Sequence, residues 1–184
     1  MATYKVDPTH SEITFKIRHL MITNVSGSFS KFDATLTSDT DDFSDASITF
    51  EADVDSVNTG DEQRDGHLKS DDFFNAEKFP MLTFVSTGIT KKSDKEYLLN
   101  GNLTIRDVTK PIILNVAYGG SMTDFYGQTK AGFEISGKIN RKEYGLMWSA
   151  VTEAGGIVVS DEVKLNLQVQ MVKQGINPAV VPVI

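Results

Sequence analysis

The sequence predicts an all-β fold in which mostly antiparallel strands form either a sandwich or a closed barrel. Apolar and polar residues alternate with a two-residue period through most of the 184-residue chain, and turn-rich clusters such as SDTDD and TKKSDK separate the alternating runs. We count about eight substantial strands and a short first one. Strands that are apolar on one side only must cover that side, and the period alone does not choose between the two architectures.

The strands are justified in chain order by their alternation. After the short first strand, the run EITFKIRH places Ile13, Phe15 and Ile17 on one face and polar residues on the other. In VSGSFSKFDATL the apolar phase slips by one residue after Phe29, and a bulge near residues 30–31 would absorb the slip. The remaining alternating runs are 46–54, 81–88, 97–105, 111–119, 126–139 and 162–171.

Two segments interrupt the strand pattern. In VNTGDEQRDGHLKSDDFF, Thr59 followed by Glu62 matches a capping box, so a helix is expected to begin there. Gly66 indicates that this helix is short. The second segment, NRKEYGLMWS, begins with Asn140 as a candidate N-cap and contains the only tryptophan, Trp148.

Composition limits the classes of function. The length and the 40% of hydrophobic residues favour one domain, residues 1–173, followed by an apolar, proline-containing tail at 174–184. No apolar run is long enough to span a membrane. The net charge of -7 and the dispersed basic residues do not favour nucleic acid as a partner. The absence of cysteine excludes disulfides, thiol nucleophiles and thiolate metal sites.

The two ends of the chain give expectations about location and assembly. The opening MATYKVDPTHSEITF lacks a basic stretch followed by an apolar run, so we expect a cytoplasmic protein, or a periplasmic one if an export signal was removed. The tail KQGINPAVVPVI is interrupted by two prolines and is neither a central strand nor a helix interior. It either packs along the domain, meets a second copy in a homodimer, or stays disordered.

The polar cluster RDGHLKSDDFF allows three interpretations: a catalytic cluster, a metal site, or a lid with a polar outside and an apolar underside. Arg64, Asp65 and His67 contain an acid and a base, but the chain has no nucleophile elbow, phosphate loop or dinucleotide fingerprint. A solvated helix face explains these charges more simply. Neither His10, His19 nor His67 forms a close metal-binding pair, so no metal site is expected.

The inward-facing residues also have two interpretations. His19 follows Ile17 by two residues, so it is expected on the apolar face of its strand. It is then either a core histidine bonded to a backbone carbonyl or a polar anchor in a cavity. Phenylalanines recur at inward positions of several strands. On composition alone, they fill the core more simply than they line a hollow.

Five segments, in this order, resemble the YceI-like family of bacterial polyisoprenoid-binding proteins: YKVDPTHSEITFKIRHLMITNVSGSF, SVNTGDEQRDGHLKSDDFFNAEKFPMLTF, GNLTIRDVTKPIIL, INRKEYGL and SDEVKLNLQV. The resemblance spans residues 3–172. Two positions depart from the family pattern. Tyr4 stands where tryptophan is frequent, and Asp107 stands at a turn position where glycine is usual.

The resemblance implies an eight-stranded antiparallel barrel of lipocalin-like architecture, with short helical segments near one end and a long apolar tunnel. It also implies a non-catalytic function without metal or cofactor: binding a polyisoprenoid or polyprenyl-quinone-type lipid for carriage, storage or sensing. The cluster RDGHLKSDDFF then corresponds to the lid. The alternatives are an enzyme acting on a hydrophobic, lipid-like substrate, and a protein-interaction module whose barrel is filled.

On this interpretation the tunnel is lined by inward-facing apolar residues. These are Phe15, Ile17, Phe29, Phe50, Phe73, Phe74, Phe84, Leu103, Leu114, Phe133 and Trp148. The polar mouth is expected to contain His19, Asp65 and Arg141. Pairing between the lid cluster and Arg141 would hold the lid on the barrel.

Overall fold

Within the residues that the computed structural model describes, 1–20, 22–149 and 159–175, the chain forms eleven β-strands and one α-helix. The strands are β1 (Ala2–Val6), β2 (Glu12–His19), β3 (Thr23–Phe29), β4 (Phe32–Ser38), β5 (Ser47–Asp53), β6 (Val57–Asn58), β7 (Met81–Lys91), β8 (Glu96–Ile105), β9 (Val108–Thr123), β10 (Thr129–Asn140) and β11 (Val159–Gln174). The helix, α1 (Glu62–Lys69), follows β6, and 3₁₀ turns occur at Pro8–His10, Val54–Ser56 and Arg141–Tyr144. The turn-rich segment EAGG, residues 153–156, and the tail beyond residue 175 lie outside the described residues.

The strands close into an eight-stranded antiparallel barrel, because three pairs of short strands each act as one barrel strand. β1 and β2 both pair with β11, at Val6 with Met171 and at Glu12 with Gln168. On the other side, β1 pairs with β4 and β2 pairs with β3. Next in the ring, β4 pairs with β5 and β3 pairs with β6. β7, β8, β9 and β10 complete the ring to β11. The predicted lipocalin-like barrel is confirmed.

The chain breaks its strands where the sequence predicted a slip. β3 ends at Phe29 and β4 begins at Phe32, with residues 30–31 between them. The Ser30 N–H donates to the Ser56 carbonyl, beside the 3₁₀ turn that separates β5 from β6. Neighbouring barrel strands therefore bend together, which keeps both apolar phases on the inner face.

One end of the barrel, which we call the closed end, is covered by the plug loop, residues 39–46 between β4 and β5. Phe43 is only 3% exposed and has a positive φ of 60°, which directs its ring into the barrel. The edges of Tyr4, Tyr118 and Phe133 meet this ring at centroid distances of 5.4, 5.4 and 5.3 Å. Tyr4, the position where the family favours tryptophan, therefore still supplies a buried aromatic ring.

Asp45 fastens the plug loop to the barrel. Its Oδ1 accepts hydrogen bonds from the hydroxyls of Ser38 and Thr40, and its Oδ2 accepts from the Asp39 N–H at 2.9 Å. The hydrogen bond from Ser38, followed by the bond from the Asp39 backbone, lowers the pKa of Asp45 from its ordinary 3.8 to about 2. The ionised carboxylate is therefore the form that holds the loop closed.

Acid is expected to loosen the plug loop. Because the folded pKa of Asp45 lies below the unfolded value, its stabilising contribution is complete above about pH 4 and is lost as the pH falls through about 2. We expect Asp45→Asn to weaken the urea stability near neutral pH and to flatten its decline in acid. Asp41→Asn, which removes one charge from the same loop, is the control. An unchanged acid decline in Asp45→Asn would contradict this assignment.

No helix in the described part of the chain combines the length and apolar character needed to cross a membrane.

Candidate functional site

The end opposite the plug loop, which we call the open end, carries a cover made of residues 59–79. We call this segment the lid. α1 begins at Glu62, and its N-cap is Asp61, whose Oδ1 accepts from the backbone N–H groups of Gln63 and Arg64. The predicted cap, Thr59, is wrong by two residues, because the backbone and hydroxyl of Thr59 donate to the carboxylate of Asp65 instead.

The underside of the lid is aromatic. Phe73 is buried, and its ring lies 5.6 Å from that of Trp148. Phe74 meets the ring of Phe29, in the barrel wall, edge-on at 6.0 Å. On the other side of α1, Glu62 and Gln63 are exposed, and Lys69 lies 3.5 Å from Asp55. This is the arrangement of a lid with a polar outside and an apolar underside.

A cavity of about 350 Å³ lies inside the barrel, between the plug loop and the lid. Inward-facing side chains of all eight barrel strands form its wall. The volume lies within the roughly 300–1,000 Å³ that is typical of sites for small organic ligands. All eleven residues proposed for the tunnel are in this wall: Phe15, Ile17, Phe29, Phe50, Phe73, Phe74, Phe84, Leu103, Leu114, Phe133 and Trp148.

Glycines on the inner face keep the barrel hollow. A Cβ on Gly27 would lie 2.3 Å from Cζ of Phe15, directly opposite on the neighbouring strand. A Cβ on Gly101 would lie 2.2 Å from Cζ of Phe84. Both rings can therefore lie flat over a neighbouring strand rather than project into the centre. The simpler interpretation, in which the aromatic residues fill the barrel, does not hold.

Arg106 holds the lid on the barrel. It lies in the turn between β8 and β9, and its Nη1 donates to the carbonyls of Asp71 and Phe73 at 2.9 and 2.8 Å. Its Nη2 donates to the Asp71 carboxylate at 2.9 Å, and its guanidinium lies 5.4 Å from the ring centre of Phe79. In this turn Arg106 has the positive φ, 56°, so Asp107 does not need the freedom of glycine.

Removing the guanidinium of Arg106 is expected to increase opening of the lid. Arg106→Met keeps an aliphatic stem but deletes three charge-assisted hydrogen bonds, so exchange of the Phe74 and Ala76 backbone amides should accelerate by at least roughly tenfold. Exchange at Leu114 should stay unchanged. Lys110→Ala, an exposed change on the same hairpin, is the matched control. Unchanged exchange in the lid of Arg106→Met would show that other contacts hold it.

Arg141 organises the wall next to the lid. It is 2% exposed, and its Nη1 donates to the carbonyls of Leu146 and Trp148 at 2.6 and 2.7 Å. Its Nε and Nη2 donate to the carbonyls of Ser160 and Val159 at 2.9 and 3.3 Å. Burial lowers the pKa of Arg141. The side chain therefore joins residues 146–148 to the start of β11. Its contact with the lid cluster is with an aromatic ring and not with a charged group, because the guanidinium lies 5.9 Å from the ring centre of Phe73.

The remaining polar part of the wall is at the open end. Two of the three predicted mouth residues, His19 and Arg141, line the cavity there together with Thr59, Arg64 and His67, whereas Asp65 is not part of the wall because it is engaged by Thr59. Sequence reasoning selected Asp65 and missed its neighbours. The helical spacing of Arg64, His67 and Leu68, at i, i+3 and i+4, could have identified them as one face.

The polar cluster forms local contacts within the lid and with Trp148. Arg64 donates to the hydroxyl and the carbonyl of Thr59, both at 2.8 Å. His67 Nε2 lies 2.8 Å from Asp72, and its ring meets Trp148 edge-on at 4.9 Å. In residues 1–20, 22–149 and 159–175, no group of three or more histidine, aspartate or glutamate side chains could hold a metal ion.

Comparison with known proteins identifies related chains over nearly the whole length. Residues 4–171 match the YceI-like domain family. A UPF0312 protein of Staphylococcus aureus is 37% identical over 165 residues, which cover 89% of this chain and 94% of the relative. The crystal structure of a Campylobacter jejuni YceI protein superposes with a TM-score of 0.74 at 32% identity, covering 86% of this chain and 90% of that one.

A further solved structure has the same fold at lower sequence similarity. It is described as a polyisoprenoid binding domain from Saccharophagus degradans implicated in plant cell wall breakdown. Its TM-score is 0.63 at 18% identity, with 91% of this chain and 97% of that chain covered. At this identity the likeness concerns the fold.

Proposed function

This chain belongs to the YceI-like family, and on that premise we propose that its barrel binds a polyisoprenoid lipid without catalysing a reaction. The observation that carries the proposal is the apolar cavity of about 350 Å³, walled by every barrel strand and covered at both ends. The Saccharophagus degradans domain, which is named for polyisoprenoid binding, supports this ligand class by analogy of fold.

The chemistry of the wall fits a branched hydrocarbon chain. Each buried methylene contributes about 0.8 kcal/mol, so one five-carbon isoprene unit contributes about 4 kcal/mol. Association costs roughly 4–15 kcal/mol, which a few enclosed units exceed. No covalent step is needed to hold such a ligand, since burial alone supplies the affinity.

A lipid with one polar end would bind in a fixed direction. Phe43 covers the closed end with aromatic rings, whereas His19, Arg64 and His67 lie in the wall at the open end. We therefore place the polar end of the ligand, such as the ring of a polyprenyl quinone, beneath the lid near His19. Arg141 also lies in the wall and holds residues 146–148 in place, whereas Asp65 supports this mouth indirectly, through Thr59.

Extraction and titration test the proposal. Purified protein extracted with organic solvent should yield an isoprenoid in the mass spectrum of the extract. Added quinone with an isoprenoid side chain should change the fluorescence of Trp148, the only tryptophan, which lies in the cavity wall. The same quinone ring without its side chain is the matched control. Repeated absence of any lipid, together with no response to the chain-bearing quinone, would refute binding.

The same samples separate binding from catalysis. A lipid recovered chemically unchanged after long incubation supports the binding function. Recovery of a converted product, with conversion abolished by His67→Ala while the lipid still binds, would instead establish an enzyme.

A further inference from the structure

Three lysines form a row on the outer surface of the barrel near the open end. Lys16 of β2 lies directly opposite Lys164 of β11, which lies directly opposite Lys138 of β10. Directly opposed Cβ atoms are about 5 Å apart, and like charges at that distance destabilise a sheet. In a chain of net charge -7, a row of this kind opposes stability and needs a functional explanation.

These lysines are available to a partner. All three are exposed, and none of the ion pairs formed by the described residues includes them. Arg18, also exposed, lies two residues further along β2 and extends the basic surface to the end of the barrel. Glu162 is the nearby exposed acidic residue on β11. The lid connects β6 to β7, and these strands lie across the barrel from β10 and β11, which carry two of the three lysines.

The basic surface adjoins an exposed apolar tip. In the turn after β2, Leu20 is 41% exposed and Ile22 is 77% exposed, although turns normally carry polar residues. Met147, in the segment that Arg141 fixes beside the mouth, is 59% exposed. Lys16 lies three residues, or about 10 Å, from the end of β2. This distance is close to the Debye length at moderate salt, so a charge on a surface that meets the tip still attracts Lys16.

We propose that the open end of the barrel docks on the surface of an anionic lipid bilayer, with the lysine row facing the head groups and the tip, Leu20 and Ile22, inserted among them. The argument is charge complementarity combined with an apolar tip at the same end. The closed end also exposes apolar side chains, Met122, Phe125 and Tyr126, but Lys130 beside them is paired with Asp124, and none of the described strand pairings there opposes two lysines. The lid exposes Asp61, Glu62, Asp71 and Asp72, so an anionic bilayer favours the lysine-bearing side of the open end, the outer faces of β2, β10 and β11, over the lid itself.

Docking through this side of the open end places the mouth of the cavity beside the membrane. A hydrophobic ligand could then pass between bilayer and cavity beneath the lid with little exposure to water. Docking does not depend on the proposed ligand, because it concerns only the outer surface. An empty cavity would refute the proposed function and leave the docking proposal unaffected.

Co-sedimentation with vesicles tests the docking. The full chain should bind vesicles of equimolar phosphatidylglycerol and phosphatidylcholine at low salt, and bind vesicles of phosphatidylcholine alone much less. Each lysine near the membrane is worth about a fivefold change in binding, so Lys16→Gln, Lys138→Gln and Lys164→Gln together should weaken binding about 100-fold. The matched control replaces Lys92, Lys95 and Lys173, three exposed lysines at the closed end, by glutamine and should bind nearly as well as the unchanged protein.

A second pair of variants tests the apolar tip. Ile22→Ser should weaken binding to anionic vesicles severalfold, whereas Phe125→Ser, which removes a more exposed apolar side chain from the closed end, should not. Equal binding to both kinds of vesicle would overturn the proposal, as would an equal loss in the control triple variant. Lysine-dependent binding of soluble polyglutamate without vesicle binding would also overturn it, in favour of an acidic polypeptide as the partner.

Discussion

Replacing Ile135 and Leu167 together by tryptophan is expected to lower the affinity for a polyprenyl lipid by about 1,000-fold while the barrel stays folded. The two side chains are directly opposite on β10 and β11, and both line the cavity. Two indole rings at this point would exclude at least about one isoprene unit, which is worth about 4 kcal/mol of burial. Quenching of Trp148 is no longer a clean signal in this variant, so binding should be measured by mass spectrometry of extracted lipid.

The outer face of the same strands provides a matched control. Ser136 and Asn166, the next residue on β10 and the preceding one on β11, are also directly opposite and are exposed. Tryptophan at both of these positions adds the same side chains outside the barrel and should leave binding unchanged. If the inward pair binds lipid as tightly as the outward pair, the ligand does not occupy this cavity.

The contrast between these pairs rests on a feature that was predictable from sequence. A strand alternates its side chains between two faces, so the parity of Phe15 and Ile17 on β2, and of Phe133 on β10, already distinguished inside from outside. The same reasoning applies to the eight tunnel residues that lie on strands, whereas Phe73, Phe74 and Trp148 lie outside the strands and parity does not place them. Parity could not decide whether the inward rings meet at the centre, because that depends on glycines such as Gly27 on a neighbouring strand.

The covers at the two ends were less predictable because they depend on contacts between distant segments. Phe43 lies in a polar loop without alternation, and its burial depends on the rings of Tyr4, Tyr118 and Phe133, which come from distant strands. Arg106 has no sequence signal that sets it apart from other turn residues, although it holds the lid through the carbonyls of Asp71 and Phe73. The closed barrel itself came from the family resemblance, since a sandwich has the same two-residue period.

Arg141 shows how a residue selected for one role can have another. It was predicted to contact the ligand at the mouth, and it lines the cavity there, but four of its hydrogen bonds also go to the carbonyls of residues 146, 148, 159 and 160. The Asp161 carboxylate lies 3.8 Å from its Nη2 and is the negative charge paired with the guanidinium. Its main effect should therefore be on the stability of the open end, with ligand binding affected through Trp148.

Arg141→Met is accordingly expected to lower the free energy of unfolding by about 3–5 kcal/mol, because four backbone carbonyls lose a charged donor in a buried site. For a domain of this size the melting temperature should fall by roughly 10 °C. Arg141→Lys should recover only part of the loss, since an ammonium cannot reproduce the planar fork that reaches both segments.

Lys142→Ala is the control, because Lys142 is adjacent and forms a partly exposed ion pair with Asp161; this change should cost less than about 1 kcal/mol. If urea unfolding gives similar losses for Arg141→Met and Lys142→Ala, the carbonyl contacts do not stabilise the open end, and direct contact with the ligand becomes the better explanation for this arginine.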